Sequence, residues 1–341
     1  MNKYSIAIVG ANSLIGSEIL RILEVRKFPL SFLRLLASGN LTNKTVRFMQ
    51  QNVQIEELTH EAFRNIDIAF FCAGVDATRH FAKTAIRDGV LVIDNSDEYR
   101  LDSDHPLVIP EVNAEDVMRH TGIIVNPNSH VIPMVMALHP LERVNHIVRV
   151  IVITYQSVSD LDSAGVNELT EQTQQVLRGE KTIPHVFPHQ IAFNVLPQID
   201  VFYESGYTKE EIRLINESRK IMHVENIGIS STCVRVPVYI GHSEAVYIEF
   251  SNQITPDDVR NILRVSPGIR IEDEPTIGLY PHPINAVSSD DVFVGRIRQD
   301  FTCKNGIAMW IVADNIRKGA ALNMVQIAEE TIKRDCLKPR N

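Results

Sequence analysis

The stretch Gly10-Ala11-Asn12-Ser13-Leu14-Ile15-Gly16 is the first place where residue types and spacing could do chemistry. It follows Ser5-Ile6-Ala7-Ile8-Val9, an apolar run of the kind that forms a strand buried on both faces. It precedes Ile15, Ile19, Leu20, Ile22 and Leu23, which share one helical stripe until Pro29 forbids continuation. Glycines at such a strand-to-helix turn let backbone approach a pyrophosphate, and the helix N-terminus adds positive partial charge. A tight βα turn without a ligand uses the same glycines, so both readings stand. The next strand ends in Ala37-Ser38-Gly39-Asn40. It offers no carboxylate for a ribose hydroxyl and no arginine for a 2′-phosphate, so cofactor choice is not legible there.

The elements that must hold this loop alternate in kind. Phe32–Ala37, Ile66–Phe71, Val90–Ile93 and Ile123–Val125 read as strands. Ala77–Arg87 reads as a helix with Ala77, Phe81, Ala82, Ala85 and Ile86 as its apolar face. Strands separated by crossover helices make a parallel sheet. After Asn126 the pattern changes. Ile132–Leu138 reads as an apolar helix, Ile147–Tyr155 as a β-branched strand and Val166–Leu177 as an amphipathic helix. Thr232–Tyr239 and Ala245–Phe250 read as strands, and Pro256–Leu263 and Asn315–Lys333 as helices. The expected fold class is therefore α/β. A Rossmann-type parallel-sheet domain (1–130 and 315–341) is followed by an α+β catalytic and dimerisation domain (131–314).

Composition narrows the function classes. At 341 residues two domains are expected, and 44% hydrophobic with 22% charged residues is an ordinary globular composition. A net charge of −8 argues against nucleic acid as a partner. Cys72, Cys233, Cys303 and Cys336 lie far apart, with neither CxxC pairing nor metal-like spacing to histidine. No metal is expected, and the thiols read as those of a cytoplasmic protein. Met1-Asn2-Lys3-Tyr4 runs straight into a strand, the pattern expected without a signal peptide. No uncharged apolar run has membrane-spanning length.

Downstream motifs are more specific. They are Val92-Ile93-Asp94-Asn95-Ser96, Ile109-Pro110-Glu111-Val112-Asn113, Asn126-Pro127-Asn128 and Phe187-Pro188-His189-Gln190-Ile191-Ala192-Phe193-Asn194. Cys233-Val234-Arg235-Val236-Pro237, Gly241-His242-Ser243-Glu244-Ala245 and Val312-Ala313-Asp314-Asn315-Ile316-Arg317-Lys318-Gly319 complete the set. In this order the chain resembles the aspartate-β-semialdehyde dehydrogenase family over nearly its whole length. The resemblance implies interconversion of aspartyl-4-phosphate and aspartate semialdehyde with NADP, a step towards lysine, threonine and methionine. A cysteine forms the thioester there, phosphate is the other reactant, and a histidine handles the proton.

Residue by residue, the resemblance gives Arg100 and Lys220 to phosphate, and Arg235 and Glu217 to the substrate's carboxylate and amino group. It places Asn128 in the substrate pocket, Gln156 at the acyl centre and His242 as acid/base. Gly10, Asn12, Ser13, Leu14, Ile15, Gly16, Asn40, Leu41, Gly74, Ser159, Asp160 and Asn315 match cofactor positions. Read alone, Arg100 and Lys220 are solvated charges, Gln156 a strand-end amide and His242 a structural loop histidine. The implied partners are a small anionic substrate or phosphate and a second copy of the chain, as a homodimer or higher.

The departures from the family are concentrated. Ser129 stands where the resemblance places the nucleophilic cysteine. A thiol near a helix N-terminus ionises readily, whereas a serine hydroxyl depends on a base. Serine is also a favoured N-cap, so the helix alone would suffice to explain it. Ser13 replaces the middle glycine of the phosphate loop, and Asp76, Asp160 and Asp162 enter cofactor turns. The expectation is a homologue with dehydrogenase activity lost or strongly reduced and weak NADPH binding. A functioning dehydrogenase with a serine nucleophile is the alternative. A Ser129–His242 hydrolase is the third reading, and it requires an orienting acid and an oxyanion hole.

Overall fold

The N-terminal apolar run forms β1 (Tyr4–Val9), and α1 (Leu14–Val25) follows the glycine loop. The computed structural model describes residues 2–38 and 44–338. The chain divides into unit 1 (Met1–Pro127 with Ala320–Asn341) and unit 2 (Asn128–Gly319). These divisions lie three and five residues from the expected boundaries at 130/131 and 314/315.

Unit 1 continues with β2 (Leu30–Ala37), β3 (Thr45–Phe48), β4 (Gln51–Glu57), β5 (Ile68–Phe71), α2 (Val75–Arg87), β6 (Leu91–Asp94), α3 (Pro110–Asn113) and β7 (Ile123–Val125). Its sheet runs β3-β4-β2-β1-β5-β6-β7, parallel except at the β3–β4 hairpin. β5, β6 and β7 are buried at every position, as parallel strands covered on both faces must be. The β3–β4 pair was not anticipated, because Thr45, Arg47, Asn52, Gln54 and Glu56 give it little apolar signal.

Unit 2 contains α4 (Val131–Glu142), β8 (Ile147–Gln156), α5 (Asp162–Leu177), α6 (Lys209–Met222), β9 (Gly228–Arg235) and β10 (His242–Phe250). It ends with α7 (Pro256–Arg264), β11 (Ile269–Ile271), α8 (Pro283–Ala286), β12 (Val292–Asp300) and β13 (Gly306–Ala313). The mixed sheet runs β11-β12-β13-β10-β8-β9. The chain then returns to unit 1 with α9 (Leu322–Lys333), whose Met324, Val325, Ile327 and Ala328 join the same core as β1 and α1.

Two sequence expectations shift. β9 spans Gly228–Arg235 rather than Thr232–Tyr239, since Pro237 has no N–H to continue a ladder. The closing helix begins at Leu322 after a π turn at Arg317–Ala321, because the Asp314 carboxylate takes the N–H groups of Ile316 and Arg317. α6 was not foreseen. It opens on a Thr208/Glu211 capping box and buries Glu210, Glu211, Arg213 and Glu217 along with Leu214 and Ile221. No helix among the described residues is long and apolar enough to cross a membrane.

Candidate active site

Strand direction assembles the site in unit 2. β8 and β9 are parallel and finish side by side at Gln156 and Arg235. β10 runs the other way and starts at His242, opposite Ala313 at the end of β13. Gln156, Arg235 and His242 are therefore neighbours at one sheet edge, all buried, with Asn315 just beyond β13. The two-residue period then places Thr154, Cys233 and Glu244 one step deeper on the buried side.

The N-terminal turn of α4 brings Ser129 to this edge. Ser129 is not the N-cap: that position is His130, which makes no side-chain capping bond, so helix capping does not explain the serine. The Ser129 hydroxyl instead donates to Asp160 Oδ1 at 3.1 Å and lies 3.1 Å from His242 Nε2. Asn128 fixes the turn: its N–H donates to Glu217 Oε2 at 2.9 Å and its amide to Glu210 Oε1 at 2.9 Å. Gly319 backs it, because a Cβ there would lie 3.0 Å from the Ser129 carbonyl oxygen.

The histidine's tautomer follows from its other nitrogen. The Ser157 backbone N–H donates to His242 Nδ1 at 3.1 Å, so Nδ1 is an acceptor and the neutral ring carries its proton on Nε2. Nε2 lies 3.0 Å from Asp160 Oδ1. Asp160 Oδ2 accepts from Arg235 Nη1 at 3.0 Å, and the same nitrogen donates to the Ser157 carbonyl. Burial alone would raise the Asp160 carboxyl, but His242 and Arg235 against its two oxygens outweigh that and hold it well below the usual carboxylate range.

A hydrolytic triad sets its acid on Nδ1 and its serine on Nε2. Here the carboxylate and the serine share Nε2, so Asp160 competes for the ring instead of orienting it. This arrangement removes the support for the hydrolase reading.

The remaining residues of unit 2 take distinct places. Gln156 is fully buried and its amide nitrogen reaches Thr154, whereas its Oε1 has no partner among the described residues. A buried orphan acceptor at a strand end suits a ligand. Glu217 is buried on α6 one turn before the partly buried Lys220. Asn315 is fully engaged, accepting from Gly241 N–H and Ser157 and donating to Ser159. Ser157, Glu210 and Gly319 were missed by sequence reasoning. Nothing in their types distinguishes them from ordinary strand-end, helix and turn residues.

In unit 1, Gly10 has φ +91°, and a Cβ there would meet the Cys72 backbone at 2.8 Å. At Gly16 a Cβ would lie 2.3 Å from the Gly10 carbonyl, so this glycine lets α1 close on the strand end. Ser13 has φ −76°, which any residue adopts. Its hydroxyl donates to Gly10 O and accepts from Gly16 N–H, closing the loop on itself as an N-cap. Serine in place of the middle glycine therefore costs no backbone strain. Asn12 is exposed, and Leu14 and Ile15 open α1. Gly74, φ +84°, is the N-cap of α2. Arg100 is buried, donating to Asn95 O and pairing with Asp97 at 2.9 Å. Asn40 and Leu41 lie outside the described residues.

The three carboxylates do not act as a set. Asp160 is engaged within unit 2 as above, and Asp76 is 92% exposed beside Arg79. Asp162 has φ +55° and ψ −155°, a region only glycine adopts without cost. The loop, with its positive-φ glycine and helix N-terminus, fits a dinucleotide, and Ser13 adds no backbone strain to it.

Comparison with known proteins is specific. A family model for the semialdehyde dehydrogenase NAD binding domain matches residues 5–120, and one for the semialdehyde dehydrogenase dimerisation domain matches residues 138–318. The aspartate-semialdehyde dehydrogenase of Aquifex aeolicus (strain VF5) is 48% identical over 335 residues, covering 97% of this chain and 98% of that protein. That of Bacillus subtilis (strain 168) is 44% identical, covering 96% and 97%. A crystal structure of aspartate semialdehyde dehydrogenase II from Vibrio cholerae, complexed with ASA, superposes with a TM-score of 0.95 at 41% identity, covering 98% of this chain and 99% of that one.

Proposed function

Since the chain belongs to the aspartate-semialdehyde dehydrogenase family, we propose that it is a member that binds NADP and a small anionic ligand but turns over aspartate semialdehyde poorly or not at all. The observation that carries this reading is the shared Nε2 of His242. An attacking Ser129 hydroxyl must lose its proton, and the ring nitrogen facing it already bears one. The other acceptor within reach, Asp160, is held well below the usual carboxylate range and is a weak base. Bound NADP would supply the hydride acceptor, held by the Gly10–Gly16 loop, the N-terminus of α1 and Gly74. Arg235 and Glu217 suit the carboxylate and ammonium of an amino-acid semialdehyde, Gln156 is the candidate for the acyl centre, where its Oε1 would accept a hydrogen bond from the ligand, and Arg100 and Lys220 are the phosphate candidates.

The partner we infer is a second copy, joined through the outward side of the unit 2 sheet. Ile151 is 37% exposed there, and Tyr247 and Trp310 are partly exposed beside a groove of about 410 Å³. The match to a dimerisation domain supports it.

Phosphate-dependent NADP⁺ reduction by aspartate semialdehyde tests the reading. We expect no burst and a rate at least about 10³-fold below an ordinary enzyme's roughly 1–10³ per second. Turnover within that ordinary range overturns it.

A further inference from the structure

Asp160 is the residue whose placement the family reading leaves unaccounted for. It sits on the short turn Val158–Leu161 after β8. That turn is anchored by Val158 N–H to Val238 O and Ser159 N–H to Tyr239 O. Its carboxylate gathers three donors at once: Arg235 Nη1, His242 Nε2 and the Ser129 hydroxyl. Arg235 is buried, and its acidic partner across the ion pair is Asp160. We propose that Asp160 is a tethered carboxylate ligand, competing for Arg235 with the carboxylate of any small molecule entering unit 2. The inference rests on the reading of Arg235 as the residue that receives a ligand's carboxylate.

The contact geometry sets how such competition works. Asp160 meets the guanidinium through one nitrogen, Nη1, not through a bidentate fork. A free carboxylate could bind the fork in two-point fashion, which is the stronger mode. To do so it must come up beside a carboxylate of like charge, or push the turn aside and break its bonds to His242 and Ser129 as well. Both routes weaken a carboxylate ligand. Neither affects a ligand group that avoids Arg235, so the effect is selective for carboxylates. The same turn withdraws Nε2 of His242 from incoming ligand, which links ligand exclusion to the quiet state of Ser129.

Calorimetric titration of the full chain with L-aspartate, in parallel with inorganic phosphate, tests this. We expect Asp160→Asn and Asp160→Ala each to bind L-aspartate at least about tenfold more tightly than the parent, with phosphate affinity unchanged. Adding Arg235→Ala to Asp160→Asn should abolish the gain. Equal L-aspartate affinity in parent and both variants overturns the inference. So does a gain that survives loss of Arg235. Should one variant not fold, the other carries the comparison. The outcome is independent of turnover: if the parent proves an active dehydrogenase, Asp160→Asn should still lower KM for the semialdehyde about tenfold without lowering KM for phosphate.

Discussion

Asp160 Oδ1 lies 3.0 Å from Nε2 of His242, on the same ring nitrogen that faces Ser129. With Nδ1 accepting the Ser157 N–H, the ring offers a proton to both neighbours and takes one from neither. An acid/base residue is thus present but held in the donor state, and the consequences can be measured.

Restoring a thiol alone should be insufficient. Ser129→Cys leaves Asp160 on His242, whereas Asp160→Gly removes the carboxylate from Nε2 and from Arg235 but keeps a weak nucleophile. We expect the double variant to exceed the product of the single effects on kcat/KM by at least about tenfold, a coupling of about 1.4 kcal/mol or more. Initial rates for the four proteins complete the cycle, and strict additivity would mean that the two residues act separately.

Asp162 should be a stabilising site for substitution. Its φ of +55° with ψ of −155° costs a non-glycine residue about 1–3 kcal/mol. Glycine removes that strain but gives up the carboxylate's bond to Ser163 N–H and some unfolded-state entropy. Asp162→Gly is expected to raise unfolding free energy by about 1 kcal/mol, and urea denaturation of the two proteins would show it. A loss of stability would place the strain elsewhere.

Glu244 gives stability a pH dependence. It is 1% exposed and neither carboxyl oxygen has a partner among the described residues, so burial raises its pKa well above the ordinary 4.5. The folded state keeps the proton to a higher pH than the unfolded chain does. Its contribution is therefore full below about pH 4.5 and is lost as pH rises towards the folded value. In that window the loss is about 1.4 kcal/mol per pH unit. Denaturation curves taken from pH 5 upward should show Glu244→Gln gaining on the parent as pH rises until the folded value is passed; parallel curves would rule this out.

Oligomeric state should respond to the outward side of the unit 2 sheet. Light scattering is expected to give twice the monomer mass for the parent. Ile151→Lys adds a second cation beside Arg149 on that side and should raise the dimer dissociation constant at least about tenfold, with circular dichroism unchanged. A monomeric parent would remove this interface.

Local pattern in the sequence determined more than the site's chemistry. The run Ser5–Val9, Gly10 and the stripe from Ile15 to Leu23 specify strand, turn and helix, because each depends on residues a few positions apart. Pro237 and the Thr208–Glu211 pair set element ends in the same local way, but the β-branched run across Pro237 and the charged face of α6 masked both signals. Ser129, Gln156, Arg235 and His242 could be named from motifs. Asp160 could be noticed only as a misplaced charge. Which of these meet was decided by tertiary structure, since antiparallel β10 must start where parallel β8 and β9 stop. Ser129 and His242, 113 positions apart, then share a hydrogen bond. Sequence carries no distance between such residues, so neither the tautomer of His242 nor the ion pair on Arg235 existed as information until the strands were paired.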